Sequence, residues 1–252
     1  MNRQQQEVFS KVPAITLGFW IIKILATTLG ETGGDMVSMS MGFGYLASTG
    51  MFFILFLIAV IAQVRAEKFH PALYWATIIA TTTVGTTLAD FMDRSLGIGY
   101  AGGAALLLGL LLASLFVWQR ALGSIAIDTV SSPKSEMYYW VTIMFSQTLG
   151  TALGDWTADT AGLGYGGGVM VFGVMLATLA IAYYRTTISH TALFWAAFIL
   201  TRPLGAVVGD LLDKPVSEGG LALSRYSATI VIVGLIVACV LVFKQVPARQ
   251  RH

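Results

Sequence analysis

Four aspartates, Asp35, Asp90, Asp155 and Asp210, close four copies of the pattern Trp-x9-Gly-x4-Asp. The copies begin at Trp20, Trp75, Trp140 and Trp195 and carry Gly30, Gly85, Gly150 and Gly205. Carboxylates brought to one level by equivalent segments form a ring, and such rings concentrate cations at the mouths of channels. The same residues equally suit a plain solvated helix end, where Asp commonly bonds to a nearby backbone or cation. Asp93, Asp159 and Asp213 follow three or four residues later and fit either reading. On an α-helix the positions Trp, Trp+3, Trp+7, Trp+11 and Trp+15 fall along one meridian. The four stripes read Trp20-Lys23-Thr27-Glu31-Asp35, Trp75-Ile78-Thr82-Thr86-Asp90, Trp140-Ile143-Gln147-Thr151-Asp155 and Trp195-Phe198-Arg202-Ala206-Asp210.

Lys23, Glu31, Gln147 and Arg202 break the repeat, while Thr27 and Thr82 give it small hydroxyl groups at the same depth. Glu31 and Arg202 differ in stripe level by four residues, about 6 Å of helical rise, and can pair across neighbouring helices. Such a pair is either a buried structural ion pair or a protonatable, cation-binding carboxylate held in check by Arg202 and Lys23. Five carboxylates, Glu31 and the four repeated Asp, stand against Lys23 and Arg202, a formal −3 that favours cations. With one cysteine, Cys239, and only His70, His190 and His252 as imidazoles, no disulfide and no Cys/His zinc cage is expected. A bound metal would be a hard divalent ion such as Mg²⁺ or Mn²⁺ on Glu31, Asp35, Asp90, Asp155 and Asp210. Met36, Met39 and Met41 could suit Cu(I), but one copy without His or Cys reads as ordinary apolar Met.

The elements that position these residues are membrane spans. The chain of 252 residues is 56% hydrophobic and 11% charged, with mean hydropathy +0.75, a composition that does not belong in water. Strong apolar runs cover Leu46–Val64, Ala101–Gln119, Gly166–Tyr184 and Ser227–Phe243, each near the ~20 residues a spanning helix needs. The Trp-containing segments, Val12–Gly30, Pro71–Ala89, Tyr138–Gly154 and Thr191–Gly209, are weaker candidates between them. Eight spans put both termini on one side. Arg3, Lys11, Arg65, Lys68, Arg120, Lys134, Arg185, Lys244, Arg249 and Arg251 share that side, against Arg94, Lys214 and Arg225 on the other. Both termini are therefore expected in the cytoplasm. The polar opening residues Met1–Lys11 run into apolar sequence without a cleavage pattern, so no removable signal peptide is expected.

The copies are offset by 55, 65 and 55 residues, so the first half maps on the second with a shift of 120. Arg65, Arg120 and Arg185 each follow their Asp by 30 residues, and Lys244 follows by 34. The expected fold is an all-α membrane protein of eight transmembrane helices. It comprises four parallel two-helix repeats, approximately 12–66, 67–121, 132–186 and 187–245, in one membrane domain with pseudo-symmetry about the membrane normal. Polar stripes face inward because a charge at bilayer depth is costly unless it meets protein or water. The pairs Gly30/Gly34, Gly85/Ala89, Gly150/Gly154 and Gly205/Gly209 allow close helix approach; alternatively they loosen helix ends and expose carbonyl oxygens to a ligand. The four Trp suit an interfacial belt or simple packing.

These copies, with Gly44-Tyr45, Gly99-Tyr100 and Gly164-Tyr165 after three of them, resemble a family of bacterial integral membrane proteins. That family is built from four tandem repeats, each with two transmembrane segments and a characteristic Trp, and its function is unknown. The resemblance covers nearly the whole chain. The fourth copy departs from it with Gly219-Gly220 and Arg225-Tyr226.

The net charge of +2 points to no nucleic-acid surface, and zincin, nucleophile-elbow and phosphate-loop signatures are missing from the sequence. The sequence thus reads as a bacterial inner-membrane transporter or channel-like protein for a small cation, divalent or proton-coupled, and not as an enzyme. Its expected partners are the bilayer and that cation, with no nucleic acid and an undefined oligomeric state. A non-transporting scaffold or sensor is the alternative, and an intramembrane enzyme the third reading.

Overall fold

The computed structural model describes residues 10–248. Arg3, Arg249 and Arg251, which enter the topology argument, and the imidazole of His252 lie outside the described residues, as does the rest of residues 1–9 of the polar opening segment. Eight α-helices run through the described residues. They are α1 (Leu17–Asp35), α2 (Tyr45–Arg65), α3 (Pro71–Asp90), α4 (Tyr100–Leu122), α5 (Pro133–Asp155), α6 (Gly164–Arg185), α7 (His190–Asp213) and α8 (Arg225–Val242).

Local chemistry moves two helix starts from their expected places. Helix α1 begins at Leu17, because the Thr16 side chain caps it by accepting from the Phe19 amide at 3.2 Å. The residues before it pair instead with the end of the chain: Ala14 N donates to Val246 O at 2.8 Å, and Ala248 N donates to Val12 O at 2.8 Å. Helix α5 begins five residues before Tyr138, where Ser132 and Ser135 form a capping box and Pro133 occupies the first turn.

After their aspartates, α1, α3 and α5 widen into single π-helical turns, Met36–Ser40, Phe91–Ser95 and Trp156–Thr160. Helix α7 instead continues as regular α-helix to Asp213. Gly44, Gly99 and Gly164, of the three Gly-Tyr pairs, have φ of +75°, +77° and +64°, the left-handed region that favours glycine. The fourth copy replaces this joint with a loop containing the short 3₁₀ turn Val216–Glu218.

The four Trp-bearing helices pack in a closed order, α1 on α3, α3 on α5, α5 on α7, and α7 on α1. Each apolar helix crosses to the next repeat: α2 covers α3, α4 covers α5, α6 covers α7, and α8 covers α1. One aromatic contact recurs at every inner seam. The residue before each Trp meets the Trp of the next helix, with ring centroids 5.5 Å apart for Phe19–Trp75, 5.8 Å for Tyr74–Trp140, 6.2 Å for Tyr139–Trp195 and 5.9 Å for Phe194–Trp20. Trp75, Trp140 and Trp195 are buried in this cluster, so their role is packing and not an interfacial belt.

A second contact recurs one level higher. The Trp+7 side chain of each helix fills the space left by the Trp+10 glycine of its neighbour: Thr82 against Gly30, Gln147 against Gly85, Arg202 against Gly150 and Thr27 against Gly205. A turn further, Thr86 meets Gly34, Ala206 meets Gly154 and Glu31 meets Gly209. The glycines therefore pack helices together, as small-xxx-small pairs do in membranes.

By length and composition α2, α4, α6, α7 and α8 can cross a membrane. Only 11% to 28% of the most apolar stretch is buried in α2, α4, α6 and α8, against 61% in α7. The outer helices thus turn Leu, Ile, Val and Phe outward, as a membrane protein does.

Candidate functional site

Apart from the half-buried Trp20, every stripe residue is buried. The stripes meet on the seams and axis of the inner ring, and the polar groups fall into three levels between the aromatic cluster and the opposite end.

At the lowest polar level the Lys23 ammonium lies 4.1 Å from the Phe198 ring centroid and donates to Thr201 Oγ1 at 3.4 Å. Thr27 Oγ1 is used up on backbone carbonyls of Lys23, Ile24 and Thr201. Thr82 Oγ1 and both side-chain polar atoms of Gln147 have no hydrogen-bond partner, although both residues are 0% exposed. An unpaired buried amide costs about 1–3 kcal/mol, which makes this level polar without a structural return.

At the middle level all four inner helices converge on Arg202. Its Nη1 and Nη2 donate to Glu31 Oε2 at 3.0 and 3.1 Å, and Nη2 also donates to Thr86 Oγ1 at 2.6 Å and to Thr151 Oγ1. Glu31, Thr86 and Thr151 are the Trp+11 residues of three repeats. The fourth is Ala206, small enough to leave room for a guanidinium reaching up one turn. The Glu31–Arg202 pairing expected from the spacing is thus present, fully buried and tied to two further helices.

At the upper level the four aspartates, 1% to 3% exposed, are divided between two cations. Arg94 meets Asp90 at 3.0 Å and Asp155 at 3.4 Å; Lys214 meets Asp35 at 2.8 Å and Asp210 at 3.1 Å. The two clamps correspond under the shift of 120 residues. Arg225 adds contacts to Asp213 at 3.0 Å and Asp35 at 3.7 Å. Burial alone would lower the Lys214 pKa, but Asp210 and Asp35 outweigh it and hold the ammonium well above its ordinary range. Arg94 is likewise held up by Asp90 and Asp155 against the opposing effect of burial.

The open acidic mouth expected from the sequence is therefore corrected: the ring is closed over by Arg94 and Lys214. With those two charges counted, the formal −3 of the stripes becomes −1. Of the other expectation, a solvated helix end at which each Asp bonds a nearby cation, the pairing with a cation is present and the solvation is not, because the aspartates are buried.

Of the five proposed metal ligands, Glu31, Asp35 and Asp210 come together, each offering one oxygen within 4.8 Å of the others. Asp90 and Asp155 lie with Arg94 instead. The sequence reading did not anticipate Arg94 and Lys214 as clamps, although both stand four residues after an Asp, the helical ion-pair spacing. Above the clamps a cavity of about 720 Å³ is lined by Arg94, Lys214, Arg225, Tyr100, Tyr165, Asp159 and Glu218, among others.

The model of a family described as Repeat of Unknown Function (DUF347) matches residues 18–69, 73–123, 138–189 and 193–245. No curated protein and no solved structure matches the chain.

Proposed function

Because the chain belongs to this repeat family, whose description assigns no activity, we propose its role from the site itself: a carrier of a small cation across a bacterial inner membrane. In this reading all eight helices span the bilayer, both ends face the cytoplasm, and the repeats are related by nested pseudo-two-fold operations about the membrane normal. The recurring aromatic and glycine contacts support that symmetry, because each appears at every seam of the ring.

One observation carries the transport reading. A file of buried polar groups runs along the inner helices from the clamped aspartates through Glu31 and Arg202 to Gln147, Thr82 and Lys23, and of its lower members Gln147 and Thr82 have no protein partner. Polar groups at bilayer depth face a cavity, a partner or a substrate path. Oxygen atoms of Glu31, Asp35 and Asp210 supply the hard ligands that a divalent cation or a proton-coupled site requires. The aromatic cluster at one end and the cavity at the other favour alternating access over an open channel, and nothing in the residue set calls for catalysis.

The scaffold reading is favoured by a different observation, that each repeated Asp lies within ion-pair distance of a cation. Flux of Mn²⁺ into vesicles reconstituted with the full chain separates the two. Glu31→Gln should abolish substrate-dependent flux; it also leaves the Arg202 charge unpaired at a cost of about 3–5 kcal/mol, so Glu31→Leu/Arg202→Met, which removes both charges, is the variant that keeps the fold. Wild-type flux in the apolar double variant Glu31→Leu/Arg202→Met would overturn the transport site.

A further inference from the structure

The cavity above the clamps has a chemistry of its own. At about 720 Å³ it is of the size that holds small organic ligands. All three cations of that face, Arg94, Lys214 and Arg225, stand in its wall, while the aspartates beneath them are 1% to 3% exposed. A solute arriving from outside therefore meets the cations before the four repeated aspartates.

Several of their N–H groups are only loosely engaged. Arg94 Nη2 reaches Asp155 at 3.4 Å and Arg94 Nη1 reaches Tyr45 Oη at 3.5 Å; Arg225 Nη1 reaches Ser40 Oγ at 3.4 Å and Arg225 Nη2 reaches Asp35 at 3.7 Å. Charge-assisted bonds to oxygen close at about 2.7–2.9 Å, so these donors have bonding capacity to offer a better-placed acceptor. By contrast, Arg94 Nε on Asp90 and Arg225 Nε on Asp213, each at 3.0 Å, anchor the two guanidinium groups and orient the rest. Two anchored guanidinium planes beside an ammonium, with Tyr100 and Tyr165 in the same wall, form a receptor for an anion with several acceptor oxygens.

We propose that this vestibule binds a small oxyanion, a carboxylate or phosphate compound, through Arg94, Arg225 and Lys214. The site goes beyond cation carriage and needs no transport to exist. Asp159 and Glu218, both exposed on its wall, oppose such a ligand and restrict it to compact anions that keep away from them.

Isothermal titration of the full chain in detergent with inorganic phosphate, and separately with malonate, tests the site at equilibrium. Saturable binding of either probe is expected. Arg225→Gln should weaken it by about tenfold or more, the scale of one charge-assisted contact. Neutralising the opposing acids, Asp159→Asn with Glu218→Gln, should tighten it, and because those residues are exposed, that variant is safe for the fold. The sign of the second effect keeps the test decisive if Arg225→Gln fails to fold. No saturable binding of either probe at millimolar concentration overturns the proposal, as does weaker binding in the Asp159/Glu218 variant. Because the readout is equilibrium anion binding, failure here leaves the flux experiment on Glu31 unaffected, and failure of flux leaves this result standing.

Discussion

Arg202 and Lys214 are two of the cations through which the first and last inner helices meet, and they do different physical work. Arg202 is 0% exposed and holds Glu31, Thr86 and Thr151 at once. Replacing it alone strands the Glu31 charge in a dry interior, so Arg202→Met should cost about 3–5 kcal/mol, and the paired change Glu31→Leu should return much of it. Denaturation in detergent reads both. Lys214 instead pairs with two members, Asp35 and Asp210, of the oxygen cluster they form with Glu31, where a small cation would sit. In the carrier reading it is a tethered competitor. Lys214→Met should then raise Mn²⁺ affinity, whereas Arg94→Met, in the clamp whose Glu31 counterpart is Thr151, should raise it far less. Equal effects from the two substitutions would remove the distinction between the clamps.

At the scale of the helix, the glycines divide by what a Cβ would meet, and that division is directly testable. A Cβ on Gly30 would fall 2.5 Å from Thr82 Cγ2, while one on Gly33, on the same helix, meets nothing within 4 Å. Gly30→Ala should cost about 1–3 kcal/mol through overpacking. Gly33→Ala should be neutral or stabilising by up to about 1 kcal/mol through helix propensity. Thermal unfolding of the two variants should rank them in that order. This seam was half legible in the sequence, since the spacing of Gly30 and Gly34 beside a polar stripe already implied close approach. Which neighbouring side chain enters each gap was not, because that depends on the cyclic order of the helices. The aromatic contacts were legible and overlooked: Phe19-Trp20, Tyr74-Trp75, Tyr139-Trp140 and Phe194-Trp195 repeat an aromatic-Trp dipeptide in every copy. The starts of α1 and α5 were missed for a different reason, because hydropathy does not register the caps at Thr16 and Ser132. The clamps of Arg94 and Lys214 required the folded ring, which brings Asp155 to Arg94 across 61 residues and Asp35 to Lys214 across 179.

Over the whole molecule, the most consequential feature is that the ring closes on itself. Helix α8 covers α1 as α2 covers α3, although the last and first repeats are far apart in sequence. The segments flanking the ring ends also lie side by side, with Ser10 N donating to Ala248 O at 3.3 Å. Between the halves, the 3₁₀ turn Ile127–Thr129 and its surroundings lie on that same face: Lys11 N donates to Val130 O at 3.0 Å, and Trp195 Nε1 donates to Ile125 O at 3.0 Å. The shift of 120 residues reproduces that last contact at the other junction, where Trp75 Nε1 donates to Gln245 Oε1 at 3.1 Å. Connectivity at either junction is then a detail of chain order, since the contacts that hold the ring are made by the repeats. Joining residue 248 to residue 10 with a short linker and opening the chain between residues 124 and 132 keeps the number of helices and the face on which the ends emerge. Such a permutant should insert, remain monodisperse in detergent and retain whatever flux the parent has, because tolerance of new ends depends on the contacts of the affected backbone and not on its position in the sequence. A permutant that inserts but unfolds far below the parent would mean that the junction at residues 124–132 carries structure that the terminal junction does not, and the two halves would then not be equivalent.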